Sequence, residues 1–245
     1  MSALAAQASQ EGAAGYYPHG LVSLTQEHRM ADTVKRLGKV RVEPLQASRF
    51  IRPSSIFFEM DGMERRWDMV QGVPSVGAIL YHCDLKAVLL VRQFRPPVYV
   101  ACAAEAAAEG RPAPPLTAGF TYELCAGLED KSKSREQIVK EEILEECGYD
   151  VPVDSIRFVT SYVAASGSMG ARQRVFAAEV DDSQLVMPGG GVKGDGEAIE
   201  VLALPLSGTQ RFMEDDSLAK SAALPLAFLW VQHQLQQNGG RLFRS

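Results

Sequence analysis

Several features that would assign the chain to a familiar functional class are scarce or missing. The 245 residues include only four cysteines and four histidines, and the absence of any C-x-x-C pair argues against a zinc site. No apolar run is long enough to span a membrane, and the first 28 residues lack Lys and Arg, which argues against a signal or transit peptide. The net charge of -5 argues against a general nucleic-acid binder. We therefore expect a cytoplasmic protein with reduced thiols that binds neither nucleic acid nor a membrane.

Composition divides the chain into three parts. Residues 1–37 are rich in Ala, Gly, Ser and Gln, which predicts a poorly ordered N-terminal extension. Residues 38–73 contain strand-like runs at 49–59 and 64–72 around Asp61-Gly62, a dipeptide typical of antiparallel hairpins. Residues 74–245 mix strands with two principal helices, which predicts an α/β domain with sheets sandwiched between helices.

The predicted elements of the third part are short strands and longer helices. We predict strands at residues 76–82, 87–94, 120–125, 156–164, 172–180 and 200–205. We predict helices at residues 134–148 and 217–237, the second kinked or restarted at Pro225. The Ala, Pro and Glu content of residues 101–115 favours a variable surface loop. Residues 186–197 contain three consecutive glycines and predict a long, functional loop.

The predicted helix over residues 134–148 has clear ends and an unusual acidic side. Ser134 and Gln137 form a capping box, and Gly148 stands where a left-handed residue would end the helix. Three glutamates share an arc of about 100° that would face outward: Glu142, Glu145 and Glu146. Like charges at this spacing repel, and anions in the last turn oppose the helix dipole. Bound Mg²⁺ or Mn²⁺ would offset that cost, whereas a solvated acidic face is the alternative.

The segment around this helix resembles the Nudix box, G-x5-E-x7-R-E-U-x-E-E-x-G-U, in which U is a bulky apolar residue. The matching positions are Gly127, Glu142, Ile143, Glu145, Glu146, Gly148 and Tyr149. Lys133 stands in place of the first glutamate of the motif, and Glu141 stands in place of the arginine. Those two residues pair in the family, so we expect the same ion pair here with reversed polarity.

The resemblance to the Nudix family extends from about Trp67 to Gln232 and is greatest to its UDP-sugar pyrophosphatases. Residues 91–99, 121–128, 145–149 and 189–191 carry it. It implies the Nudix fold, with an α/β/α sandwich spanning residues 74–245. It also implies a homodimer formed through the strands of residues 38–73, with each site completed by the partner. The implied reaction is divalent-metal-dependent hydrolysis of a nucleotide sugar, UDP-glucose to UMP and glucose 1-phosphate, with Mg²⁺ or Mn²⁺ as cofactor.

The same resemblance implies roles for individual residues. The metal ligands would be Glu142, Glu145 and Glu146 together with the backbone carbonyl of Ala126. The catalytic set would be Glu145 and a general base after the glycines, first Glu197 and second Glu200. The substrate contacts would be Arg95, Arg92, Glu123, Arg172 and Trp67, since arginine suits bidentate phosphate binding. For Trp67 a buried core position is the alternative.

Two other functions stay open at this point. ADP-ribose pyrophosphatases, which give AMP and ribose 5-phosphate, share the architecture. They usually carry a glutamate before the strand-entry arginine, where this chain has Ala171 before Arg172. The second alternative is a non-catalytic Nudix-like module that binds a nucleotide, but such a module would not need the complete set of glutamates.

Overall fold

The computed structural model describes residues 17–48, 51–129, 132–192, 194 and 196–244. Residues 1–16 of the predicted extension and Arg49, the predicted start of the hairpin, lie outside these ranges. The strands are β1 (Val22–Ser23), β2 (Arg52–Met60), β3 (Met63–Gln71), β4 (Ser75–His82), β5 (Ala87–Phe94), β6 (Phe120–Glu123), β7 (Cys125–Leu128), β8 (Arg157–Ala165), β9 (Met169–Val180) and β10 (Glu200–Pro205). The α-helices are α1 (Met30–Arg36), α2 (Pro96–Ala108), α3 (Arg135–Glu142), α4 (Thr209–Glu214) and α5 (Ala223–Gln237).

The main sheet opens between its two central strands. Its order is β1-β10-β5-β4-β9-β8, with β6 added to β5 and β7 added to β4. β4 pairs with β5 only over Leu80–His82, whereas its first residues, Ser75–Ala78, pair with β7. The far end of β5, Val91–Phe94, pairs with β6. The chain therefore crosses from β6 to β7 at the opening, where β7 meets the end of α3 and the helical turn that follows it.

Helices cover both faces of this sheet. α3 packs on one face through Ile138 and Val139, within the core that contains Leu80. α5 packs on the other face through Phe228, within the core that contains Ile79. Neighbouring residues of β4 thus point into opposite cores, as the pleat of a strand requires. The prediction of an α/β sandwich is confirmed.

The prediction of a poorly ordered extension is wrong for residues 17–37. β1 pairs with β10, and Leu21 is buried against the core that contains α5. Helix α1 follows, and the backbone N–H of its first residue, Met30, donates to Glu200. The segment contains few apolar residues, but hydrogen bonds to a buried carboxylate fix it, and composition alone could not reveal that partner.

A separate two-stranded ribbon precedes the main sheet. β2 and β3 pair along their whole length around the turn at Asp61 and Gly62, as predicted. Every residue of β2 is exposed, so the ribbon has no core of its own. Its base is attached to the turn between β8 and β9, because the N–H of Val70 donates to the Ser168 carbonyl at 2.8 Å.

Two helical predictions need correction. Residues 101–108 belong to helix α2 rather than to a surface loop, since Pro96 and Pro97 suit a first helical turn and the alanines that follow favour a helix. Helix α5 begins at Ala223, later than predicted, so Pro225 lies in the first turn, where its missing N–H has no helical partner. None of the helices among the described residues is long and apolar enough to cross a membrane.

Candidate active site

The helix that carries the glutamates changes its winding in the middle. The capping box of Ser134 and Gln137 is present, and Gly148 ends the helix with a φ of 85°. Ile143–Cys147, however, form a π-helical turn rather than a continuation of α3. Such a turn shifts side chains around the axis relative to an α-helix and occurs often at functional sites. The sequence pattern did not predict this turn.

Glu146 is buried, which corrects the expectation that all three glutamates face outward. It lies in the π-helical turn, is 5% exposed and accepts a hydrogen bond of 3.0 Å from the N–H of Ala126 in β7. Burial raises the pKa of its carboxyl to about 8, and the nearby charges of Glu142 and Glu197 act in the same direction. The Cys125 thiol also contacts it, although it was not predicted to belong to the site. Glu146 is thus a desolvated carboxylate among other carboxylates.

Glu142 lies directly against the strand that faces the helix. A Cβ added to Gly127 of β7 would stand 2.2 Å from the Glu142 carboxyl carbon, so only glycine leaves room for that side chain. Ala126, the predicted backbone ligand, precedes Gly127 and already contacts Glu146. Glu145 is half-buried in the same turn. The structure therefore brings together three predicted ligand positions, Glu142, Glu146 and Ala126, where β7 meets the helix, and Glu145 lies in the same helical turn as Glu146.

The triple-glycine loop caps the end of the glutamate-bearing helix. The N–H groups of Gly190 and Gly191 donate to the carbonyls of Glu146 and Glu145 at 2.8 and 3.1 Å. A Cβ on Gly189 would lie 2.5 Å from the Glu146 carbonyl oxygen, which excludes larger residues. These glycines therefore allow the loop backbone to approach the helix backbone closely.

Glu197, the first choice as general base, is exposed at the end of that loop. Its carboxylate accepts a hydrogen bond of 2.9 Å from the N–H of Val192. It is close enough to Glu146 to raise that residue's pKa, and it acts electrostatically on Arg95 as well. These observations place Glu197 on the open side of the glutamate group, beside a cation.

Arg95 and Glu123 face the opening from the other side. Arg95 directly follows β5, and it donates from Nε and Nη2 to the two oxygens of Glu123 at 2.8 and 2.7 Å. These hydrogen bonds raise the pKa of Arg95, and the charges of Glu146 and Glu197 contribute less. The Arg95 side chain is 45% exposed, so its guanidinium stays accessible to solvent while Glu123 holds it in place.

Arg92 and Glu200 cannot play the roles expected of them, namely substrate contact and second choice as general base. Both side chains are 1% exposed, and Arg92 Nη2 lies 2.7 Å from Glu200 Oε2. Glu200 also accepts hydrogen bonds from Tyr17, Ser23 and the N–H of Met30. Its register opposite Arg92 in adjacent strands explains the pairing, and both residues belong to the interior.

Trp67 and Arg172 lie outside the group that the structure assembles around the helix. Trp67 is 55% exposed on the ribbon, so the alternative of a core position is wrong. Its indole N–H donates to the Gly167 carbonyl at 2.7 Å and ties the ribbon to the β8–β9 turn. Arg172 is exposed on β9, on the same strand face as Arg174, which pairs with Glu129 at 2.6 Å.

The expected ion pair of reversed polarity is present. Lys133 Nζ lies 2.5 Å from a carboxylate oxygen of Glu141, on the partly exposed side of the helix. The two departures from the Nudix box therefore compensate each other and leave the glutamates undisturbed.

The donor set of this site fits divalent cations. It offers carboxylate oxygens from several glutamates with a backbone carbonyl nearby, the hard ligands that Mg²⁺ and Mn²⁺ prefer. Among the described contacts, Glu146 receives one backbone N–H and one thiol, which is too little for a buried carboxylate. A bound cation would balance the buried negative charge of Glu146. Arg95 and the exposed carboxylate of Glu197 act electrostatically on the same group.

Comparison with known proteins gives consistent results. The chain is 36% identical over 210 residues to the uridine diphosphate glucose pyrophosphatase NUDT14 of Bos taurus, covering 80% of this chain and 95% of the relative. The Mus musculus protein of the same name is 32% identical over 215 residues, with coverage of 82% and 97%. The GDP-mannose pyrophosphatase of Pectobacterium atrosepticum is 34% identical over 157 residues, with coverage of 64% and 70%.

One solved structure extends the comparison to the fold. The crystal structure of an ADP compounds hydrolase superposes with a TM-score of 0.56 at 18% sequence identity, and covers 81% of this chain and 93% of its own. At that identity it supports the fold alone. No protein-family model matches the chain.

Proposed function

Because the chain belongs to the Nudix hydrolases that cleave nucleoside diphosphate sugars, we propose that its substrate is UDP-glucose, which it hydrolyses to UMP and glucose 1-phosphate. The observation that carries this proposal is the buried, under-compensated carboxylate of Glu146 beside Glu142, Glu145 and Ala126. The names of the two mammalian relatives favour uridine and glucose as base and sugar.

We propose Mg²⁺, with Mn²⁺ as a substitute, as the cofactor. Glu142, Glu145, Glu146 and the Ala126 carbonyl would hold it. When bound, such ions neutralise the diphosphate and lower the pKa of a coordinated water. The structure supports this proposal through the close fit of Glu142 against Gly127 and the sparse hydrogen bonding of Glu146.

The remaining steps belong to the protein's own side chains. Arg95 uses Nε and Nη2 for Glu123, which leaves Nη1 for a phosphate oxygen and fixes the direction in which the guanidinium presents it. Glu197 accepts the proton of the attacking water, because its side chain is exposed and the Val192 N–H holds one carboxylate oxygen in place. Glu123 acts by positioning Arg95.

We also propose a homodimer, formed through the ribbon of β2 and β3. The ribbon exposes an unusual number of large apolar side chains, namely Ile56, Phe57, Phe58, Met60, Met63 and Trp67. A lone two-stranded hairpin is marginally stable, so burial against a second copy would stabilise it. A reducing, cytoplasmic location agrees with the four free thiols.

A substrate panel tests the proposal directly. The purified full chain is incubated with UDP-glucose, GDP-mannose and ADP-ribose at equal concentration, with Mg²⁺ or with a chelator, and nucleoside monophosphate release is measured. We expect Mg²⁺-dependent release with the highest kcat/KM for UDP-glucose. A preference for GDP-mannose or ADP-ribose would overturn the substrate assignment, and release of UDP rather than UMP would overturn the bond assignment.

A further inference from the structure

A second group of potential metal ligands lies at the opposite end of β4 from the glutamates. It consists of His82, the last residue of β4, Asp84 in the following turn and Asp182 in the 3-10 turn after β9, and we call it the His82 cluster. One ligand atom from each residue lies within 4.8 Å of the others. Gly77, which pairs with Ala126, is five residues earlier in the strand, or about 17 Å away.

Among the residues that the structure describes, three of the five buried polar side-chain atoms without hydrogen-bond partners lie at this cluster. His82 is fully buried, and its Nε2 lies 3.3 Å from Asp182 Oδ1, yet neither atom has an aligned hydrogen bond. The hydroxyl of Tyr149 is also buried without a partner, and its ring packs edge-on against His82 at 5.7 Å between centroids. Such atoms are rare because each costs free energy, so several in one place make the His82 cluster a candidate ligand site.

The charges of the cluster favour a cation over a water molecule. Two carboxylates and one imidazole face each other, with Asp181 also nearby. Asp84 is held in place by the N–H of Asp182, which donates to its carboxylate at 3.2 Å. One nitrogen and two oxygen ligands suit borderline divalent ions such as Zn²⁺, with the open position left for water. The unpaired Tyr149 hydroxyl is available to hydrogen-bond that water.

We propose that His82, Asp84 and Asp182 bind a divalent transition-metal ion, best matched by Zn²⁺, at a structural site separate from the catalytic glutamates. His82 Nδ1 accepts a long hydrogen bond of 3.4 Å from Leu85 N–H, which the ring gives up when its proton moves to Nδ1 and Nε2 binds the ion. The ion would link the β4–β5 turn to the end of β9. It would also anchor Tyr149, which directly follows the glutamate-bearing helix.

Metal binding to the full chain tests this proposal without reference to turnover. The Glu142→Gln/Glu146→Gln variant removes two ligands of the other site, and Zn²⁺ alone is titrated into it by calorimetry. We expect about one equivalent to bind and to raise the melting temperature. Asp84→Asn in that background should lower the affinity at least about tenfold, since it removes one of three protein ligands. Asp84 is exposed, so this substitution should leave folding intact.

Asp154→Asn serves as the matched control, because Asp154 is also an exposed aspartate in a turn but lies outside the cluster. It should bind Zn²⁺ as the parent does. Substituting Co²⁺ for Zn²⁺ gives a second measurement, since its visible absorption reports nitrogen and oxygen ligands and should change in the His82→Gln variant. Absence of Zn²⁺ binding in the parent, or equal binding by the Asp84 and Asp154 variants, would overturn the proposal and leave a buried water as the occupant.

Discussion

Glu146 and Glu200 are both buried glutamates, but their surroundings differ. Glu200 receives hydrogen bonds from Arg92, Tyr17, Ser23 and the Met30 backbone, and these contacts hold the N-terminal segment on the sheet. Glu146 receives one backbone N–H and one thiol, while neighbouring carboxylates oppose its charge. A buried carboxylate whose charge is balanced by hydrogen bonds and a cation stabilises the fold. A buried carboxylate with few such partners is a candidate ligand for a bound cation.

Removing the glutamate carboxylates of the candidate metal site should have the largest effect. We expect Glu142→Gln and Glu146→Gln each to lower kcat on UDP-glucose by roughly 10²–10³-fold, the usual cost of losing one stabiliser of transition-state charge. Steady-state kinetics at saturating Mg²⁺ measures this. Glu136→Gln is the control, since Glu136 lies in the first turn of the same helix, at the opposite end from the other glutamates, and the variant should retain full activity. Full activity of the Glu146 variant would remove the distinction between the two buried glutamates.

Breaking the compensated pair should reduce stability instead. Arg92→Ala leaves Glu200 buried without its cation, which typically costs about 3–5 kcal/mol of unfolding free energy. Arg95→Ala, three residues later and just beyond the end of the same strand, should cost less than about 1 kcal/mol because that side chain is half exposed, but it should lower kcat/KM. Denaturant unfolding and kinetics on both variants test the contrast. Equal losses of stability would contradict it.

The pH dependence of stability should also separate the two glutamates. Burial raises the pKa of the Glu146 carboxyl in the folded protein to about 8, from its ordinary value of 4.5. The protonated form therefore favours folding at low pH, and that advantage is lost as pH rises from about 4.5 to about 8. In metal-free protein, Glu146→Gln should become more stable than the wild type across this range, by at most about 1.4 kcal/mol per pH unit. A difference that stays constant with pH would exclude this explanation.

The smallest expected effect concerns the ion pair of Lys133 and Glu141. Each single reversal, Lys133→Glu or Glu141→Arg, places like charges together and should lower stability by roughly 0.3–1 kcal/mol, with a modest loss of activity. The double reversal should restore both properties. Thermal melts and kinetics of the three variants measure the coupling, and equal tolerance of the two single changes would show that the pair has no bracing role.

Most of the secondary structure that supports this site was predictable from the sequence. The capping box, the glycine end of the helix and the strands 76–82, 87–94 and 200–205 depend on local patterns, and local patterns survive folding. The reversed ion pair was predictable because both members occupy motif positions. The burial of Glu146 was not, since it depends on a π-helical turn and on contact with β7, far away in sequence.

The errors share one cause, which is pairing between distant segments. Arg92 and Glu200 were assigned to substrate and to catalysis because each residue type suits that role, yet their strands place them opposite each other in the interior. The same pairing orders residues 17–37, whose composition predicts disorder. For Trp67 a buried core position was considered, but the residue is exposed. An aromatic residue in a strand pattern does not show whether the strand has a second layer to pack on.

Mn²⁺ affinity, measured by electron paramagnetic resonance on wild-type protein and Glu146→Gln at neutral pH, tests the central claim most directly. If the sparse surroundings of Glu146 exist to bind divalent ions, the variant should bind Mn²⁺ at least about tenfold more weakly while melting at a higher temperature without metal. Unchanged Mn²⁺ affinity together with a lower melting temperature would show that Glu146, like Glu200, serves the fold.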